Sequence, residues 1–522
     1  MAEEAVLFPT QSMFMVDRGW QRSRKKKNTS DSHSVLGYGS ERTGVPDVTI
    51  TIAREHPSQW PTSTGFKGVR GTTQGQELTA GAQFMQYEPP ISSPGQAIGR
   101  RRRTATRPRN VVQRRTGLAL PAPNTASTRM SMCSAMLKQS ISGSASPLYS
   151  FIDPEVSDFQ EFISYYPTRL ASALLPISKY ASVSSNAIKE IWLPAAINDE
   201  VFLHVILLSS AMHYISTMNC QDVGDSKVLL KVIFDRLNRR LQTGNYSDTT
   251  IGAVSCLALC DNSEGNHTQW AMHAAGMSEM IRNRGGIASI PPEKRLKLYR
   301  GEVIGAVDTL SMPRLPRPPR STESLYKAIK MTFPLDATLL SALVESDLTP
   351  NMFDLLIDLS LFAQTLNYAA KTGVIIDSTA YEEDITCMQY DLLTFDMTGA
   401  TIVDSACRLA ALAFGKSIMQ ETPFARTASM EISRQLQNIL TTLRTECTRS
   451  DLLFWVQVMG ALVSSQTDEK DWFRAHLRAF VGQRVDLVTW TNAKVLLEAL
   501  FWVDCLFDVQ GERLWLEVFG PA

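Results

Sequence analysis

The chain has 522 residues, 44% hydrophobic and 20% charged, with 52 Lys and Arg balancing 52 Asp and Glu. That composition describes a soluble globular protein diluted by a polar segment, with length enough to bury a sizeable core. The zero net charge hides an asymmetry: residues 1–145 hold 20 basic residues against 9 acidic ones, and the remaining 377 hold 32 against 43. The start, Met1-Ala2-Glu3-Glu4, is acidic and lacks an apolar run, so no secretory route is expected. The eight scattered cysteines then read as reduced thiols in an intracellular compartment.

Residues 1–145 are rich in Ser, Thr, Gly, Pro and Arg and keep no 3.6-residue period. Such a segment cannot bury enough apolar surface to offset chain entropy, so it is expected to be a long disordered basic arm. Its charge is concentrated in two runs. The first is Arg22, Arg24, Lys25, Lys26 and Lys27. The second is Arg100, Arg101, Arg102, Arg103, Arg107, Arg109, Arg114 and Arg115. Dense positive charge on a flexible segment suits a nuclear import receptor and equally the phosphate backbone of DNA. Plain solvation of the arm is the bland alternative.

From Ser146 the pattern becomes helical, and the fold class expected for 146–522 is all-α, an irregular multi-helix domain. Apolar periodicity between Pro and Gly/Asn/Asp breaks predicts helices near 155–166, 186–194, 198–218, 225–243, 248–261, 267–284, 292–310 and 322–332. Further ones are expected at 336–345, 350–372, 379–395, 401–416, 424–446, 450–464, 468–482 and 488–508. The longest apolar stretch, Val201 to Met218, contains His204, Ser209, Ser210 and His213, which favours a buried helix over a membrane span. Cys256 and Cys260, and the two histidines, read as core residues and not as a metal site. Pro313 to Arg320 reads as an exposed connector, and Glu382-Glu383-Asp384 as charge on the first turn of a solvated helix. Thr349 followed by Pro350 marks a helix start, with Thr349 as the cap. No phosphate-binding loop, nucleophile elbow or H-E-x-x-H is present, so nothing proposes an enzyme, a cofactor or a metal.

The best-defined local pattern is 261–287, DNSEGNHTQWAMHAAGMSEMIRNRGGI. Asn262, Ser263 and Asn266 offer caps. Trp270, His273, Met277 and Met280 share one helical face, and Arg284 sits near a stop at Gly285-Gly286, one of which is expected in the left-handed conformation. Gly276 weakens the helix interior, and close approach of a neighbouring helix is the expected compensation.

W-x-x-H-x-x-G-M-x-x-M-I-x-x-R-G-G, carried by Trp270, His273, Gly276, Met277, Arg284, Gly285 and Gly286, resembles the signature of the fungal-specific transcription factor domain family. Four further stretches are similar to that family in order. They are Asp153-Pro154 to Tyr166, Leu298-Tyr299-Arg300 to Pro318, Leu453-Phe454-Trp455 to Phe473, and Phe501-Trp502-Val503 to Trp515. The resemblance implies an all-helical regulatory region, a nuclear protein, and a partner that is another transcription regulator or a second copy. Many members carry a six-cysteine zinc cluster; here Cys133 is the only cysteine before Cys220. Two functions follow as expectations. One is a transcriptional regulator with a basic arm for import and DNA contact. The other is a co-regulatory adaptor that binds a DNA-binding partner without touching nucleic acid.

Overall fold

The computed structural model describes residues 159–218, 225–328, 335–419, 429–443 and 450–520. The expected arm, 1–145, and with it both basic runs, lies outside the described residues. The all-α expectation holds: among the described residues there is no β-strand, and one parallel bridge joins Val183 to Ile376.

The first helices are α1 (Phe159–Tyr165), α2 (Leu193–Ile197), α3 (Glu200–Met218), α4 (Asp225–Gln242), α5 (Asp248–Ser263), α6 (His267–Asn283) and α7 (Pro292–Thr309). Wide π turns at Tyr166–Leu170 and Ile188–Trp192 follow α1 and lead into α2. Each holds or adjoins a proline, Pro167 or Pro194, whose missing N–H disrupts the regular bond ladder. The helices after α7 are α8 (Leu325–Ala328), α9 (Ala337–Val344), α10 (Pro350–Thr372), α11 (Ser378–Leu393) and α12 (Ile402–Ile418). The last are α13 (Met430–Thr442), α14 (Asp451–Val463), α15 (Thr467–Val481), α16 (Trp490–Leu500) and α17 (Asp504–Phe519).

Side-chain caps fix several starts. Ser247 accepts from the N–H of Thr250 ahead of α5, and Asp377 from Ala380 ahead of α11. Thr401 and Asp404 form a reciprocal capping box at α12. Thr349 holds the cap position and Pro350 the first turn of α10, as expected, but the Thr349 side chain makes no capping bond. The Thr349 N–H donates instead to Asp404 Oδ1 at 3.0 Å, tying α10 to the α12 cap.

One expected helix divides in two. The run 488–508 breaks at Phe501-Trp502-Val503, all fully buried, between α16 and α17. Buried backbone outside a helix must still be hydrogen-bonded. Asn367 of α10 supplies the partners: its Nδ2 donates to Trp502 O at 2.7 Å, and its Oδ1 accepts from the Asp504 N–H at 2.9 Å.

Two apolar cores form. The first gathers side chains from Phe162 to Tyr299, with Leu315 added from beyond α7. Here α3 is long and apolar enough to cross a bilayer, yet Val201 through Leu208 are all buried inside the protein. The second core runs through α9 to α17 around α14, whose residues Leu452 to Ala461 are buried almost without interruption. Helices α5, α6 and α7 belong to both: Ala258, Trp270, Ala274 and Val303 face the second core, while Val254, Met277, Met280 and Tyr299 face the first.

Candidate functional site: a tryptophan lock and a strap-covered cavity

The α5–α6 hairpin turns tightly at Glu264 to Asn266 and lays α6 against α7. Trp270, His273, Gly276 and Met277 fall on one buried face of α6, as the spacing predicts. Gly276 is buried on this face, and a close approach of helices is seen at two glycines of the facing helix α7. A Cβ at Gly305 would lie under 3.0 Å from three indole atoms of Trp270, and one at Gly301 would come under 3.0 Å from one atom of Ser255 of α5, its Oγ. Absence of a side chain on α7 therefore lets the indole lie flat against its backbone. Trp270 Nε1 donates to Gly301 O at 2.9 Å, and the Arg314 guanidinium lies 5.3 Å from the ring centroid.

Polar groups close this lock at both ends. His273 Nδ1 stands 2.6 Å from Asp261 Oδ2. Asn262 and Asn266 do not cap α6 with their side chains. Asn262 is buried and donates to Asp308 Oδ2 at 2.7 Å, while its Oδ1 lies 3.1 Å from His267 Nδ1. Asp308 also pairs with Lys416 of α12 and accepts from Ser429 Oγ at 3.0 Å. At the other end Gly285 and Gly286 both take positive φ, +102° and +88°, Gly286 with an extended ψ of 175°, so both positions of the helix exit favour glycine. Arg284 pairs with Asp248 and donates to Tyr246 O at 3.2 Å. Burial opposes ionisation of Asp248, but Lys294 and Arg284 hold its carboxyl below the usual range.

Beyond α7 the chain runs non-helical and proline-rich as a strap, 310–324; it is the exposed connector expected, with Arg314, Pro316, Arg317, Pro319 and Arg320 exposed, and it is also fastened to the helices beneath it. The Arg314 N–H donates to Glu302 Oε1 at 2.7 Å. Arg317 forks onto Asp391, both bonds 2.6 Å, and Arg320 reaches Asp384 Oδ1 at 2.5 Å. Glu383 accepts four bonds from the N–H and hydroxyl groups of Ser321 and Thr322, between 2.5 and 3.0 Å. Glu383 and Asp384 are 3% and 8% exposed, which overturns their reading as charge on a solvated turn. Burial raises the Asp384 carboxyl despite its Leu325 N–H and Arg320 partners, and burial likewise raises the Glu302 carboxyl and the Cys387 thiol.

Strap, α8, α10 and α11 enclose a cavity of about 380 Å³. Leu355, Asp358 and Phe362 line it from α10, and Asp384, Cys387, Met388 and Asp391 from α11, each set at the i, i+3, i+7 spacing of a single helix face. Sequence reasoning missed this site. The available signal was the three-residue beat of Arg314, Arg317 and Arg320 opposite acidic residues seven apart, Asp384 and Asp391.

Of the remaining sequence candidates, Cys256, Cys260, His204 and His213 are all buried, as expected. His213 Nδ1 lies 3.0 Å from Tyr165 OH, and His204 Nδ1 2.6 Å from Glu200 O. The residues of the two basic runs lie outside the described residues. Among the described residues no three His, Cys, Asp or Glu converge to hold a metal ion.

Comparison with known families gives one match: residues 161–301 fit the model of the fungal specific transcription factor domain. The matched segment opens inside α1 and closes on Gly301, the carbonyl partner of Trp270, and it spans nearly the whole first core. No curated protein and no solved structure matches the chain.

Proposed function

Taking as premise that residues 161–301 carry a fungal specific transcription factor domain, we propose that this protein is a fungal transcriptional regulator. The helical body makes the regulatory protein contacts, with another transcription regulator or a second copy. The arm, through Arg22 to Lys27 and Arg100 to Arg115, engages an import receptor and contacts DNA phosphates once in the nucleus. The observation that carries this reading is the coincidence of the family match with nearly all the residues of the first core and with the Trp270–Gly301 contact at its boundary with the second.

The test has two arms. A fluorescently tagged chain is expected to accumulate in the nucleus and to lose that accumulation when both basic runs are neutralised. Unchanged cytoplasmic fluorescence of the intact chain refutes the reading. Genome-wide occupancy of the full chain, beside a deletion of 1–145, then asks whether the arm touches chromatin.

A second reading, the co-regulatory adaptor, is favoured by the cysteine spacing, since Cys133 stands alone before Cys220 and zinc clusters need closely spaced pairs. Under it, occupancy survives loss of the arm's DNA contacts and vanishes when the DNA-binding partner is removed. Direct binding by the arm instead weakens steeply with salt, by about one log-slope unit per phosphate contact.

A further inference from the structure

We propose that the strap-covered cavity binds a small organic monocation, an ammonium group carrying an apolar body, with Asp358 as its counter-ion. The cavity, about 380 Å³, has the size of small-ligand sites. Its walls offer Leu355, Phe362 and Met388 as an apolar bed.

The charges select the ligand's sign. Both arginines at the cavity are already paired, Arg317 with Asp391 through two bonds and Arg320 with Asp384 through one, and an anion would have to compete with a carboxylate to reach either. The Lys327 ammonium lies 5.6 Å from the Tyr326 ring centroid, so that aromatic face already serves a cation. Asp358 is different. Among the described residues no hydrogen bond or ion pair reaches it, and it stays open to solvent along the α10 wall. The surrounding protein still strips part of its hydration, and this, with the nearby Asp354 and Asp391 carboxylates, raises its carboxyl above the usual range, while the Arg320 and Lys327 charges oppose the shift without bonding to it. A carboxylate held without a partner beside an apolar bed gains most from a ligand that brings a cation and buries a hydrocarbon body. A metal ion does not answer the same need, because no three metal-ligating side chains converge among the described residues.

The experiment uses the purified full chain and three probes of matched shape: 2-phenylethylammonium, the neutral 3-phenylpropanamide and the anionic 3-phenylpropanoate, each titrated by calorimetry. The cation alone is expected to bind. Asp358→Asn is expected to weaken it about ten-fold or more, the scale of one charge-assisted bond, and Leu355→Trp, which fills the cavity and leaves the charge, to abolish it. Asp358 has no described partner to lose, so Asp358→Asn should retain the wild-type helical spectrum and melting point; if it does not, Leu355→Trp alone decides. Equal binding of the neutral or anionic probe, cation binding unaffected by both substitutions, or no binding of the cation overturns the proposal. Calorimetry on the isolated protein reads neither nuclear entry nor gene occupancy, so this inference and the regulator reading fail by separate measurements.

Discussion

Gly305→Ala sets two opposing effects against each other at one atom. Alanine in a helix interior is favoured over glycine by about 1 kcal/mol where nothing interferes. At position 305 the new methyl would enter the indole of Trp270, under 3.0 Å from three ring atoms. The ring is buried and held: Nε1 donates to Gly301 O at 2.9 Å, and the Arg314 guanidinium lies over the ring. Overpacking costs about 1–3 kcal/mol, and lifting the indole adds about 1 kcal/mol for its hydrogen bond and about 0.5 for the cation–π contact. Set against the propensity gain, the net loss is about 1.5–3.5 kcal/mol. Urea unfolding followed by helical circular dichroism reads this as a lower midpoint with unchanged slope. Trp270→Leu, itself destabilising, should make the same glycine substitution far milder, with a coupling energy of about 1–3 kcal/mol. A Gly305→Ala protein as stable as wild type, or additivity in the double variant, refutes the claim that α6 and α7 meet through this glycine.

Three further outcomes follow from the same contacts. Glu302 has its carboxyl raised by burial, so between the unfolded and folded values the folded state holds the extra proton and stability falls as pH rises. Glu302→Gln should therefore melt close to wild type in acid and gain on it towards neutral pH; a gap that is constant with pH contradicts the burial argument. Lys416→Met leaves Asp308 buried with only Asn262 and Ser429, and should cost about 3 kcal/mol, with part recovered when Asp308→Asn is added; thermal melts of both variants decide. Glu383→Ala removes all four of its bonds to Ser321 and Thr322, so limited trypsin digestion after Arg320, at the bond to Ser321, should accelerate, and an unchanged rate would mean that Glu383 does not hold the strap.

The sequence reveals helices best where one face meets a core and a proline or glycine marks the end. The signature helix α6 was placed at 267–284 and spans His267–Asn283, because Trp270, Met277 and Ile281 recur at helical spacing before Gly285. Contacts between distant segments leave no such period. Phe501-Trp502-Val503 reads locally as helix interior, and only Asn367, far away on α10, makes the break affordable. Glu383 and Asp384 look like ordinary first-turn acids until the strap arrives from sixty residues upstream to cover them. The glycine that mattered for packing Trp270 was likewise on the other helix, where a rule about one helix's propensity cannot look.

The cavity therefore owes its existence to the same stretch that completes the lock. Arg314 stands over Trp270 and binds Glu302, while Arg317 and Arg320, three and six residues on, form the roof over Asp358. Any group that drew Arg320 away from Asp384 would also strain Ser321 and Thr322 on Glu383, and through the short strap would pull at Arg314. The route from the cavity to the first core thus runs through one covalent segment and its ion pairs, each a contact with a defined partner. Coupling of this kind demands a ligand that binds the fastened and loosened strap with different affinity. A monocation seated on Asp358 would meet that demand electrostatically, because it would repel the Arg320 guanidinium, whose bond goes to Asp384 but whose charge already acts on Asp358.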